Sequence, residues 1–204
     1  VNGSPLHSEI NLDITGIELV QEPNTLDHLR IMLLNTEFER VQGGRMQDPL
    51  VVFAEGSAVE LSLGYVDSGL TKVFVGDVTG IAAMFPEDGA PSFEVHCHSY
   101  MHRLRRSART KTYLRLKDSA IAGQIARGAG MSHQARDSKV THEFVLQYNQ
   151  TDFDFLLERA SRIGFELLAE EKTLHFREAG DAGSAALKLT AGETLLAATL
   201  RVEL

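Results

Sequence analysis

The sequence predicts a mainly β protein of the α+β class: an antiparallel β-rich first half forming a barrel or sandwich, then a compact α+β unit with two helices and a hairpin. Three observations point there. Apolar and polar residues alternate through the first hundred positions, with Gly, Pro, Asn and Asp breaking the pattern at short intervals. Two later stretches switch to apolar spacings of three and four. The chain of 204 residues is 43% hydrophobic and 24% charged, with a mean hydropathy of -0.11. That composition buries a core without crosslinks and is neither disordered nor membrane-like.

In chain order, Ile10, Leu12 and Ile14 alternate with Asn11, Asp13 and Thr15, predicting a first strand. The same period recurs at Leu29, Ile31, Leu33, at Val59, Leu61, Leu63, and at Val73, Val75 against Phe74. Turn chemistry separates these runs at Pro23-Asn24, Gly43-Gly44, Asp48-Pro49, Gly56-Ser57, Asp67-Ser68-Gly69 and Pro86-Glu87-Asp88-Gly89. The first helix is capped by Asp118 or Ser119, presents Ile121, Ala122, Ile125, Ala126 and Ala129, and closes at Gly128 and Gly130. In the second, Thr151 caps and Asp154 follows as the capping-box acid. Its stripe is Phe153, Leu156, Leu157, Ala160 and Ile163, and Gly164 stops it. Strand-like segments precede the helices at Thr112 to Leu116 and Glu143 to Tyr148. A hairpin follows, Phe165 to Leu168 with Thr173 to Phe176, then a Gly/Ala-rich link and a last strand-like segment, Leu195 to Leu204.

A single cysteine, Cys97, excludes an intrachain disulfide framework and a cysteine-rich zinc site. No apolar run approaches the roughly 18 residues of a spanning helix, and the first residues carry neither a basic nor an apolar signal region. Val1 in place of methionine, followed by Gly3-Ser4-Pro5, reads as an engineered scar or a trimmed fragment. Net charge is -8, distributed unevenly. Between Glu94 and Asp118 there is no acid, while Arg103, Arg105, Arg106, Arg109, Lys111, Arg115 and Lys117 stand together. Without those seven the chain carries -15. One basic run on an acidic surface predicts a specific electrostatic contact, and the same residues would also serve as the charged guard of an exposed strand edge.

Catalytic motifs are missing: there is no G-x-S-x-G elbow, H-E-x-x-H helix, Walker loop or G-x-G-x-x-G turn. His96 and His98 share one strand face with Cys97 on the other, and even with His102 nearby a metal would lack ligands, so no metal or cofactor is implied and a metal-dependent hydrolase is a remote reading. Asp152 and Asp154 diverge on a helix, where they complement its positive end. Only Tyr100 and Tyr113 interleave with the basic run, which is thin for stacking single strands.

The ordered segments Leu63-Gly64-Tyr65, Val73-Phe74-Val75-Gly76-Asp77-Val78-Thr79, Ser99-Tyr100-Met101-His102-Arg103-Leu104-Arg105-Arg106, Lys117-Asp118-Ser119-Ala120-Ile121-Ala122 and Gln147-Tyr148-Asn149-Gln150-Thr151-Asp152-Phe153-Asp154-Phe155-Leu156 resemble the late control protein D family of contractile-tailed phages and the related VgrG proteins of type VI secretion. The resemblance implies a non-enzymatic baseplate or tail hub, with a tube-like β-barrel at 8–102, a helical insert at 103–180 and the beginning of a second β-barrel at 187–204. It implies a homotrimer when full length, joining a hexameric tail tube to a trimeric spike among other baseplate proteins. The location implied is a virion tail or injection particle assembled in the bacterial cytoplasm, with no membrane or specific nucleic-acid partner. Because the chain ends where the second barrel would begin and lacks a spike region, it reads as an N-terminal fragment or a truncated member. The seven basic residues are then candidate contacts to other subunits or the tube. The alternative is a β-barrel nucleic-acid-binding module using the run from Arg103 to Lys117.

Overall fold

The structure, a computed structural model, describes residues 1–34, 49–65, 69–180 and 190. The chain enters through a short helix, α1 (Ser8–Asp13), where alternation predicts a strand. Ile10 and Ile14 are four apart as well as alternating, so the same residues suit one helical face. Asn11 N–H donates to the His7 carbonyl at 3.1 Å and Ile10 enters the core. Five strands follow, β1 (Ile14–Val20), β2 (His28–Leu34), β3 (Ala58–Tyr65), β4 (Gly69–Met84) and β5 (Ser92–Ser99), with a single-turn helix, α2 (Pro49–Val52), before β3. They form one antiparallel sheet, ordered β1-β2-β5-β4-β3, that curls into a half-barrel. Bulges between Leu61 and Ser62 and between Val78 and Gly80 add the local twist that lets the sixteen-residue β4 bend. Leu29, Ile31 and Leu33 of β2 and Phe93, Val95 and Cys97 of β5 line the inner face, as their period of two dictates. The turns at Gly43-Gly44, Asp48-Pro49 and Asp67-Ser68-Gly69 lie wholly or partly outside the described residues.

From Ser99 the chain passes through a 3₁₀ turn (Tyr100–Arg105) into β6 (Ala108–Lys117), α3 (Asp118–Gly128), β7 (Ser132–Ala135), β8 (Thr141–Thr151), α4 (Asp152–Arg162), β9 (Phe165–Glu170) and β10 (Thr173–Glu178). β6 and β8 form a two-stranded antiparallel ribbon; β10 lies parallel to β7 and antiparallel to β9. In α4 the Thr151 hydroxyl accepts from the Asp154 N–H at 3.1 Å, the cap its sequence predicts. The α3 cap is different. Lys117 occupies the capping position without a side-chain cap, because Asp118 is already the first helical residue and its carboxylate is turned inward.

Two cores result. One fills the half-barrel; the other gathers Met101, Leu104, Ile121, Phe153, Leu167 and Phe176. Leu26, from the connection between β1 and β2, and Val75 of β4 pack onto the second core. Asn24 ties the two polar frames, its N–H donating to the Leu167 carbonyl and its Oδ1 accepting from the Leu167 N–H, both at 2.8 Å. The segment expected as the last strand, Leu195 to Leu204, lies outside the described residues, as does the 187–204 region apart from Thr190.

Candidate interaction surface

The basic run divides by what each residue touches. Arg103 lies across the seam between the cores: its Nε donates to Asp77 Oδ2 at 2.9 Å and its Nη2 to Oδ1 at 3.0 Å, while the guanidinium covers the Tyr100 ring at 4.1 Å. His102 Nε2 meets the same buried carboxylate at 2.8 Å. Arg105 stacks over Phe153 at 4.2 Å and Lys111 over Tyr113 at 4.7 Å. Arg109 lies 3.4 Å from Asp152, and Lys117 donates to Asp137 at 2.8 Å. Arg115, highly exposed and with φ of 52°, pairs at 3.8 Å with Glu143, and Arg106 is exposed. The charge that reaches outward is therefore less than composition suggests.

Buried carboxylates are what sequence reasoning missed. Asp118 accepts from Arg159 Nε at 2.6 Å and Nη2 at 3.0 Å, with His142 Nε2 at 3.1 Å. Asp152 accepts from Gln147 at 2.9 Å, and Gln147 in turn accepts from the Tyr113 hydroxyl at 3.2 Å. Burial, with the nearby Asp152 charge, pushes the Tyr113 phenol up to about 12. The only hint in the sequence was an acid beginning each helix, which the dipole alone explains.

The histidines gather without forming a ligand set. His28 faces β5 in register with His98, its Nε2 is 3.1 Å from His96 Nδ1, and its ring stacks on His98 at 4.8 Å. Thr79 lies 2.7 Å from His98, whereas His102 turns away to Asp77. Among the described residues no three His, Cys, Asp or Glu side chains are arranged to hold a metal ion. Burial first, then the neighbouring His28, His102, His96 and Arg105, holds His98 down to about 4. Cys97 is pushed up to about 12 by burial and by Asp77, far from a reactive thiolate. A cavity of about 670 Å³ inside the half-barrel is lined mainly by apolar side chains such as Ile14, Leu29, Phe53 and Leu61.

The ribbon presents the other notable surface. Its inward face carries Tyr113, Val145 and Gln147, while Leu114, Phe144, Leu146 and Tyr148 are 63%, 59%, 45% and 70% exposed. Leu114 pairs across the strands with Phe144, and Leu146 and Tyr148 continue the face along β8. These four side chains make an exposed apolar stretch on the outward face of the ribbon.

A family model described as the Alg8 N-terminal domain matches residues 1–203. The chain belongs to this family. No curated protein matches the chain. Among solved structures, the chain resembles the 43 kDa tail protein of prophage MuSo2 from Shewanella oneidensis, at 12% identity and a TM-score of 0.64, over 79% of this chain and 48% of that one. It also resembles the E. coli c3393 protein, a type VI secretion system component described as similar to the T4 tail proteins gp27 and gp5, at 17% identity and a TM-score of 0.55 over 79% and 46%. A tail protein from Neisseria meningitidis MC58 matches at 11% identity and a TM-score of 0.50 over 74% and 41%. The chain spans less than half the length of each of these proteins. At these identities the likeness establishes a shared tail-protein fold. The family description names neither late control protein D nor VgrG; what this chain shares with the solved tail proteins is the fold.

Proposed function

We infer that this chain is a structural, non-enzymatic component of a contractile phage tail or related injection system, the N-terminal part of a hub of the late control protein D or VgrG kind. The observation that carries the reading is the fold likeness to the prophage MuSo2 tail protein over 79% of the chain. Among the described residues, the buried acids Asp77, Asp118 and Asp152 pair with Arg103, Arg159 and Arg109 and hold the fold together. In this reading 8–102 is a tube-like barrel domain, 103–180 the insert and 187–204 the opening of a second barrel. The full-length protein is a trimer joining a sixfold tube to a threefold spike, located in the virion tail or injection particle, and the residues from Arg103 to Lys117 contact subunits or the tube. Co-expression with a tail-tube protein and electron microscopy of the particles tests the location. Light scattering on the full-length protein tests the symmetry, and a dimer or tetramer with no trimer at any concentration contradicts the hub.

A further inference from the structure

We propose that the pocket at the seam between the half-barrel and the β9–β10 turn is a receptor for a guanidinium group, presented by an arginine side chain of a partner protein and bound by Asp27. Among the described residues five acids are buried: Asp27, Asp77, Asp118, Asp152 and Glu166. Four of them face an arginine of this chain. Asp77 meets Arg103, Asp118 meets Arg159, Asp152 lies 3.4 Å from Arg109, and Glu166 accepts from Arg177 at 2.9 Å. Asp27 has no such partner among the described residues. It is 6% exposed, yet its carboxylate accepts only one long hydrogen bond there, from Gln21 Nε2 to Oδ2 at 3.4 Å. Burial pushes its carboxyl up, opposed only by that bond. Buried charges are ordinarily paired, so the exception needs an explanation.

The pocket supplies one. Asp27 lines an opening of about 380 Å³ together with Gln21, Lys72, Val75, Ala169, Glu170 and Glu171. Its lysine is already taken, with Nζ 3.1 Å from Glu60 and 3.5 Å from Glu171, so the acids of the lining outnumber the free cations. No three acid or histidine side chains among the described residues are arranged to hold a metal ion, which sets a bare divalent cation aside. A guanidinium fits on two counts. Its planar fork spans both oxygens of one carboxylate, as Arg159 does on Asp118 at 2.6 and 3.0 Å. Its faces are weakly hydrated, which suits the Val75 and Ala169 walls. A free amino acid fits less well, because its own carboxylate would stand beside Glu170 and Glu171; an arginine within a protein carries none. The frame is preformed. Asn24, in the connection between Gln21 and Asp27, bonds to Leu167 on β9, and the Asp27 carbonyl accepts from the Ser99 N–H at 3.1 Å. The site lies outside the run from Arg103 to Lys117 and does not rest on the hub reading.

Nuclear magnetic resonance titration of the chain with N-acetyl-arginine amide, which stands in for an arginine within a protein, tests this. Saturable shifts are expected at the backbone amides of Gln21, Asp27, Lys72 and Glu171. The uncharged isostere N-acetyl-citrulline amide should bind at least about tenfold more weakly, and Asp27→Asn should weaken the arginine probe by at least about tenfold. Asp27→Asn should still fold, with a urea midpoint at or above that of the wild type, because no ion pair is lost; Asp77→Asn, which breaks one, should lower it. The proposal is overturned by an arginine probe that shifts nothing up to its solubility limit, by a citrulline probe that binds equally, or by full binding to Asp27→Asn. It also falls if the Asp27→Asn midpoint drops as far as that of Asp77→Asn, since Asp27 would then have a partner within the fold. Agmatine, a free guanidinium without a peptide, separates the sources. Binding weaker than or equal to that of the arginine probe supports a protein side chain, and binding more than about tenfold tighter overturns it.

Discussion

Asp77, Asp118 and Asp152 are buried carboxylates facing Arg103, Arg159 and Arg109. Removing one partner of a buried pair leaves an uncompensated charge, and this costs more than the intact pair contributes. Arg159→Ala should therefore destabilise the protein by about 3 kcal/mol, read as a lower urea midpoint; an unchanged midpoint would mean that water reaches Asp118 freely. The histidines give a pH signature. The folded state holds His98 down at about 4, against an ordinary value of 6.5, and His28 is lowered as well, by burial and by His96. A depressed folded pKa means that the unfolded chain binds the proton more readily. These two residues thus favour the fold fully above about pH 6.5, and that advantage fades as pH falls towards about 4. Urea melts of the wild type and His98→Gln between pH 7 and 4.5 check it: the wild type should lose stability more steeply. Parallel curves would show that His98 does not titrate differently in the two states.

At the scale of the element, α4 is the clearest case of local sequence becoming structure. Its cap, its acidic first turn and the φ of 69° at Gly164 all lie between Thr151 and Gly164, and Phe153, Leu156 and Ala160 enter the core at helical spacing. Phe155 also becomes buried, off the expected stripe, because it stacks on Tyr113 of the ribbon at 5.7 Å. Phe153→Ala and Leu156→Ala should each cost on the order of 2 to 5 kcal/mol, and Thr151→Ala about 1 kcal/mol. Denaturant midpoints order the three; a cap loss exceeding both core truncations would mean that the helix is peripheral. In α1 the same logic misleads, since Ile10 and Ile14 are four apart as well as alternating, and Ile10 enters the core from a helix.

For the whole molecule, the basic run governs what kind of partner is expected. Arg103, Arg109 and Lys117 are already matched by Asp77, Asp152 and Asp137, and the chain outside the run carries -15. Phosphate contacts dominate nucleic-acid affinity, so duplex DNA should bind feebly even at low salt. Fluorescence anisotropy with a labelled duplex is the measurement, and submicromolar sequence-selective binding at physiological salt would restore the nucleic-acid reading.

What the sequence by itself determined is what short-range spacing encodes: the alternation of β2 and β3, the cap and stop of α4, the hairpin of β9 and β10, and the clustering of seven cations. Periods of 2 and 3.6 and the chemistry of caps need only neighbours, so they are legible without a fold. The tertiary structure alone decided which charges remain outward. Arg159 finds Asp118 across 41 residues, His28 finds His96 across 68, and Asn24 finds Leu167 across 143. No local pattern encodes those encounters. Each depends on burial, which removes water as the competing partner and makes a distant carboxylate, ring or carbonyl the only way to satisfy the group.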